Sequence, residues 1–169
     1  MPIRAKSRTG EATTTRSRGT DAITLLKQDH KEVKALFEQA CALGTRATEQ
    51  RRKLYGQIAA QLRIHSQVEE EIFYPAFRER TRNASDERQE VLEAYEEHGI
   101  VKHLLGELDA TDPKDESFLA KFQVLKENVE HHVREEEGEM FKMARAALDK
   151  EELIELGSRI EAAKEEARA

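Results

Sequence analysis

The sequence predicts an all-α protein: an up-down-up-down four-helix bundle with an extra C-terminal amphipathic helix and a disordered N-terminal tail. Three observations lead there. Apolar residues recur at spacings of three and four over long segments, the period of a helix face packed on a core. Charged residues make up 37% of the 169 and aromatic residues 5%, which suits long solvated helices better than stacked sheets. The prolines stand at Pro2, Pro75 and Pro113, leaving long uninterrupted stretches between them.

Residues 1–19 are rich in Ser, Thr, Arg and Gly and read as a disordered basic tail. Up to Thr20 the chain carries five basic residues against Glu11, a net of +4; since the whole is −6, the remainder carries −10. An acidic folded part is a poor match for nucleic acid, so no nucleic-acid partner is expected. No apolar run reaches the roughly 20 residues of a membrane span and no secretory leader is read, so no membrane partner is expected. One cysteine, Cys41, cannot form an internal disulfide, which points to a reduced, cytoplasmic protein. Cys41 itself reads as a small core residue rather than a nucleophile.

The bundle is read over residues 20–148. Helix 1 opens at a Thr20/Asp21 cap and runs to about Leu43, where Gly44 stops it. Its stripe is Ile23, Leu26, His30, Val33 and Phe37, so a histidine stands in an apolar seam. Helix 2 starts at a Thr48 cap and carries Leu54, Ile58, Leu62, His65, Glu69, Ile72 and Phe73; Pro75 should kink it or loosen one turn near its end. After a polar break at residues 81–84, a Ser85 cap opens helix 3, whose seam is Val91, Ala94, His98, Val101, Leu105 and Leu108. Asp112 and Pro113 give a cap-plus-first-turn signal for helix 4. That helix continues to about Leu148 through Phe118, Phe122, Leu125, Val129, His132, Glu136, Met140 and Met143. Residues 149–169 form the last helix, with Asp149 and Glu152 spaced as a capping box, and Leu153, Leu156, Ile160 and Ala163 lay it across the bundle.

Six inward polar residues interrupt these seams: His30, His65, Glu69, His98, His132 and Glu136. Each glutamate is four residues after a histidine, so each His/Glu pair shares one helix face. Antiparallel neighbours bring residues level when these are equally far from the shared loop. His30 is 14 residues before Gly44 and His65 is 17 after Thr48; His65 is 16 before Thr81 and His98 is 13 after Ser85. His98 is 13 before Thr111, and His132 is 14 after Phe118 and 19 after Pro113. At about 1.5 Å per residue the six can occupy one layer. One inward histidine is more often a satisfied core residue; four on four helices, two with a glutamate, point to metal ions that offset the cost of burial. His131, Glu135 and Glu70 stand one position off their seams and His103 two past Val101, so they read as supporting or solvated, with His131 the most plausible exception.

Imidazoles and carboxylates without thiolate suit iron, manganese or zinc. Six side chains are too many for one tetrahedral zinc but suit two six-coordinate ions sharing carboxylates, so a histidine-rich di-iron centre is the reading. It is not the ferritin-like pattern, which needs inward Glu-x-x-His pairs.

The blocks LLKQDHKEV (Asp29, His30), HSQVEEEIFYP (His65, Glu69), EEHGIVKHLL (Glu97, His98) and HHVREEEGEMF (His132, Glu136) resemble the haemerythrin-like, or HHE cation-binding, family over about residues 21–148. Aligning the second block with HVREEEGEMFK places His65 on His132 and Glu69 on Glu136, with Lys142 where the first block has Pro75; a straighter helix 4 is expected there. The resemblance implies two non-haem Fe ions, with Glu69 and Glu136 as bridges and His30, His65, His98 and His132 as terminal ligands. The oxygen-carrying haemerythrins have five histidines, two from an HxxxH pair on the third helix; four residues after His98 this chain has Lys102. One histidine fewer leaves a position for water, hydroxide or another small ligand. The resemblance therefore implies chemistry or sensing with O2, nitric oxide or peroxide more than simple carriage.

Two functions follow: a di-iron protein that binds or senses O2 or nitric oxide, and an enzyme that degrades peroxide or reduces nitric oxide. Iron storage is weaker, because a two-metal site has no capacity without a shell. A metal-free scaffold is the opposite reading, under which leucine at positions 65 and 132 would stabilise the fold without other consequence. Tyr55, Tyr74 and Tyr95 fall one position or more off the seams, so no dedicated proton relay is read, although Tyr74, next to Pro75, can still pack near the site. The resemblance implies a stand-alone metal domain, and a monomer is expected because the outer faces are heavily charged.

Overall fold

The structure, a computed structural model, describes residues 19–44 and 46–169. The tail expected at residues 1–19 lies almost wholly outside them. All the regular structure among the described residues is helical: α1 Ala22–Cys41, α2 Thr48–Val68, α3 Tyr74–Arg80, α4 Ser85–Asp109, α5 Glu116–Glu135, α6 Phe141–Ala147 and α7 Lys150–Arg168. A five-residue π turn, Glu69–Phe73, joins α2 to α3, and a second, Glu136–Met140, joins α5 to α6. The four rods are thus α1, α2 with α3, α4, and α5 with α6, and α7 packs mainly on α1 and α2.

The helix starts follow local chemistry. Asp21 caps α1 by accepting from the Thr24 amide at 3.0 Å. Asp149 and Glu152 close a reciprocal capping box on α7. Thr48 and Ser85 are first helical residues rather than caps; Ala47 and Ala84 hold those positions without a side-chain bond. Asp112 and Pro113 do not open the fourth rod. Asp112 accepts from the Lys114 amide in a tight turn, and Asp115 caps α5 by accepting from Ser117. Gly44 does not stop α1 through a left-handed turn: the helix already ends at Cys41, and the Gly44 carbonyl accepts from Arg51. Cys41 is exposed, not a core residue, because the packed stripe of α1 ends on Ala40 and Cys41 stands one position off it.

The loosened turn expected near Pro75 is the π turn Glu69–Phe73. There the Tyr74 amide bonds the Glu69 carbonyl, five residues back. The next such bond would need an N–H on Pro75; instead the Glu70 carbonyl accepts from the Tyr95 hydroxyl at 3.2 Å. Helix 4 is not the plain continuation expected from the loss of this proline. The same wide turn recurs at Glu136–Met140, with the Phe141 amide on the Glu136 carbonyl. The two turns share a buried glutamate at their first residue, not a proline.

The core falls into two apolar clusters. One, around Ile58, Leu62, Leu105, Phe118, Phe122 and Leu125, fills the end near the α1–α2 and α4–α5 loops. The other, around Ile23, Leu26, Phe73, Phe77, Phe141 and Leu153, fills the end that α7 covers. Gly157 lets α7 meet the start of α1: a Cβ there would lie 2.0 Å from the Thr20 carbonyl oxygen. Between the clusters lies a layer of buried histidine and glutamate.

Candidate metal centre

All six inward residues of the seams meet in that layer, and each is buried. Their ring nitrogens are sorted by position. Every Nδ1 points outward to a carboxylate: His30 to Glu137 at 2.9 Å, His65 to Asp29 at 3.1 Å, His98 to Glu70 at 2.9 Å and His132 to Glu97 at 2.7 Å. A carboxylate only accepts, so each Nδ1 carries the proton, and a neutral ring then presents a bare Nε2. These bare nitrogens face one another: His30 and His65 at 3.1 Å, His98 and His132 at 3.2 Å. Two lone pairs at that distance repel unless a cation or a proton lies between them.

The glutamates link the pairs. Glu69 Oε2 lies 3.1 Å from His65 Nε2 and 3.2 Å from His98 Nε2. Glu136 Oε2 lies 3.2 Å from His30 Nε2 and 3.6 Å from His132 Nε2. Glu69 Oε1 and Glu136 Oε2 are sealed from solvent with no hydrogen-bond partner. Two sets have donor atoms within 4.8 Å of one another: His30, His65, Glu69 and Glu136, and then Glu69, His98 and His132. Inward lone pairs, orphaned carboxylate oxygens and one glutamate common to both sets fit a pair of cations. Without cations the charges act on protons instead. Burial alone would push the His65 imidazole down, but Glu69 and Asp29 raise it to about 10. His30 and His132 are also raised against burial, chiefly by Glu136. Burial would raise Glu69, yet the imidazoles hold it well below the usual carboxylate range.

Tyr74 is a member of the layer that the seams did not reveal. Its buried hydroxyl donates to Glu136 Oε1 at 3.0 Å, and lies 3.3 Å from Glu69 Oε2 and 3.4 Å from His98 Nε2. Burial and the two glutamate charges raise its pKa well above the ordinary value, so it stays a donor. In an α-helix a residue five after Glu69 points elsewhere; the π turn brings it back onto the same face. Phe141 stands five after Glu136 and stacks on His30, rings 5.8 Å apart and nearly parallel.

The outer carboxylates have cations of their own. Lys164 of α7, 7% exposed, bonds Asp29, and Lys102 bonds Glu70 at 2.6 Å. His131, 53% exposed at its side chain, lies 3.3 Å from Glu97 and 3.2 Å from Glu135, outside the layer. Glu70 supports His98, Glu135 stays at the surface, and His103 is exposed. A cavity of about 20 Å³ adjoins the layer on the side away from Tyr74, lined by all four imidazoles and by Val33, Leu62, Val101 and Val129.

The chain has known relatives. The family model described as the Hemerythrin HHE cation binding domain matches residues 21–144. A haemerythrin HHE cation-binding domain-containing protein from Mycobacterium kansasii, solved as a crystal structure, superposes with a TM-score of 0.75 at 25% identity, covering 88% of both chains. A DNA nickase from Nostoc sp. (strain PCC 7120 / SAG 25.82 / UTEX 2576) is 29% identical over 140 residues, 83% of this chain. The chain spans 38% of that relative's length. No described helix is long and apolar enough to cross a membrane. The chain belongs to the haemerythrin HHE cation-binding family, whose members bind metal cations, typically iron.

Proposed function

We propose that the protein holds two non-haem iron ions and binds or senses O2 or nitric oxide there. His30 and His65 would serve one ion and His98 and His132 the other, with Glu69 and Glu136 shared. The observation that carries this reading is the pair of facing, bare Nε2 couples joined by glutamates with orphaned oxygens. Iron in such a site supplies reversible one-electron change and Lewis acidity toward a small ligand. The chain's own part is to orient the imidazoles through Asp29, Glu70, Glu97 and Glu137 and to keep bulk water out with two apolar clusters. It also leaves a small apolar cavity on the imidazole side.

Tyr74 favours a second reading, an enzyme that degrades peroxide or reduces nitric oxide. Such chemistry needs protons, and a buried O–H held 3.0 Å from Glu136 is placed to deliver one. The Nostoc relative's nicking activity is not carried over: the match covers 38% of that protein, and the bundle here is acidic. A reduced cytoplasmic setting and a monomer complete the reading. An anaerobically reduced, iron-loaded sample tests it. A spectral change on adding O2 or nitric oxide supports binding, and its absence ends that version; peroxide turnover no faster than free iron ends the enzymatic one.

A further inference from the structure

The cavity beside the imidazoles has a larger neighbour. A groove of about 560 Å³ runs along the surface between α1 and α5, and His30, Val33, Val129 and Val133 line both spaces. Only the three valines and the imidazole therefore stand between solvent in the groove and the cavity. Val33 and Val129 are buried and Val133 is half-buried. Helix α1 packs mainly on α2 and α7, and α5 on α4, so few residues close the seam beneath the groove. The rim is basic, with Lys27, Lys31, Lys34 and Arg134 along it. Its two carboxylates are already held: Glu130 lies 2.8 Å from Lys126, and Glu137 lies 2.9 Å from the His30 ring and 3.8 Å from Lys27. Among the described residues no carboxylate stands within ion-pair distance of Lys31, Lys34 or Arg134, although the chain has 34 acidic residues against 28 basic ones. The approach between α4 and α5 has the opposite charge. A cavity of about 10 Å³ there reaches His132 and Glu136, and Glu90, Glu93, Glu97 and Glu135 surround it.

We infer that the α1–α5 groove is the entrance to the metal centre, and that its basic rim draws in small inorganic monoanions, of the size of azide or nitrite, ahead of neutral and cationic solutes. This rests on the proposed metal centre and adds to it a route and a further class of ligand. Cations around a concave mouth raise the local concentration of anions and the rate at which they arrive, and salt weakens the effect. The valines then set the size limit. Behind them about 20 Å³ of space admits a water-sized or slightly longer molecule. Charge thus acts at the rim and size at the wall, and neither needs a polar contact inside the cavity.

The test uses the full-length iron-loaded protein, with azide as the anionic probe and nitric oxide as the neutral one. Stopped-flow spectra give the association rate of azide with the oxidised protein and of nitric oxide with the reduced protein, at low and high salt. In a Lys31→Gln/Lys34→Gln/Arg134→Gln variant, azide association at low salt should slow about five- to tenfold and lose most of its salt dependence, with nitric oxide unchanged. The same loss of charge at exposed residues of the loop end, Arg52→Gln/Lys53→Gln/Lys114→Gln, should change neither rate by more than about twofold. Val133→Phe should slow both probes and Val133→Ala speed both, with iron per chain unchanged, because Val133 stands in the wall and not among the proposed ligands. Azide rates equal in the groove variant and wild type, or an equal slowing in the loop-end variant, overturn the charged entrance. Rates of both probes that ignore the two Val133 changes overturn the route. Either result leaves the metal centre standing, whereas a wild-type protein that takes up no iron overturns both.

Discussion

The two halves of the centre are built from one pattern and finished differently. In each, a helix gives an acidic residue followed by a histidine (Asp29–His30, Glu97–His98), and the next rod gives a histidine, a glutamate four on and another beside it. The cross-bonds match as well: Asp29 holds His65 as Glu97 holds His132, and Glu70 holds His98 as Glu137 holds His30. The difference lies in what backs the pattern. The His30/His65 half has Phe141 stacked on it and its Asp29 tied to a buried lysine from α7. The His98/His132 half has Tyr74, with a proton to give, and its Glu97 faces the exposed His131. A duplicated frame thus fixes geometry, while single residues outside it anchor one half with an aromatic ring and a buried lysine and give the other a proton donor.

Removing shared and unshared ligands gives the largest expected effect. Glu69→Leu should take bound iron from two per chain toward zero, since that residue belongs to both donor sets, whereas His65→Leu and His132→Leu should each lose about one. Metal analysis of folded protein checks this; leucine variants that keep two irons and gain stability would break the comparison and favour a bare scaffold.

The metal-free protein should respond to pH through the layer. The His65 imidazole, burial opposing, is raised by Glu69 and Asp29 to about 10, above the roughly 6.5 of an unfolded histidine. A raised folded pKa contributes stability that is full below the unfolded value and is lost as pH rises through the folded one. Melting of the metal-free protein should therefore fall steadily between about pH 6.5 and 10, and His65→Leu should flatten that dependence.

The outer cations should separate the halves. Lys164→Met takes from the partly buried Asp29 its cationic partner, leaving it only His65, and should cost about 2 kcal/mol in urea unfolding. His131→Ala touches only an exposed contact and should cost less than about 0.5 kcal/mol. Equal costs would mean that α7 does not anchor the first half.

Tyr74→Phe makes the second half resemble the first. The fold should lose only about 1 kcal/mol, because one buried O–H bond goes while the ring stays. If the centre turns over peroxide, the same change should slow it by about a hundredfold, the scale of a lost proton donor. An unchanged rate would reduce the tyrosine to packing.

Much of this was legible in the sequence because the seams are regular. His30, His65, Glu69, His98, His132 and Glu136 interrupt clean spacings of three and four, and the structure brings all six into one layer. The spacing places Tyr74 only near the site, as a neighbour of Pro75, and gives no sign of Phe141, because seams of three and four carry α-helical phase. Only a π turn at each glutamate returns a residue five positions on to the same face. The outer carboxylates and Lys164 lie off the seams, where spacing along one helix says nothing of contacts between helices. Asp112 and Pro113 misled for a different reason: a capping pair also makes a tight turn, and Asp115, three residues on, was an equally good cap. In the chain itself, the signal for Tyr74 was the repeated Glu-Glu opening of both turns, followed at five residues by an aromatic.

The most direct test of the centre is bound metal per chain, taken with the visible spectrum before reduction, after it and after exposure to air. Two irons per chain with charge-transfer bands that bleach on reduction and return with air are predicted. One zinc, or no metal in a well-folded helical sample, would contradict the account.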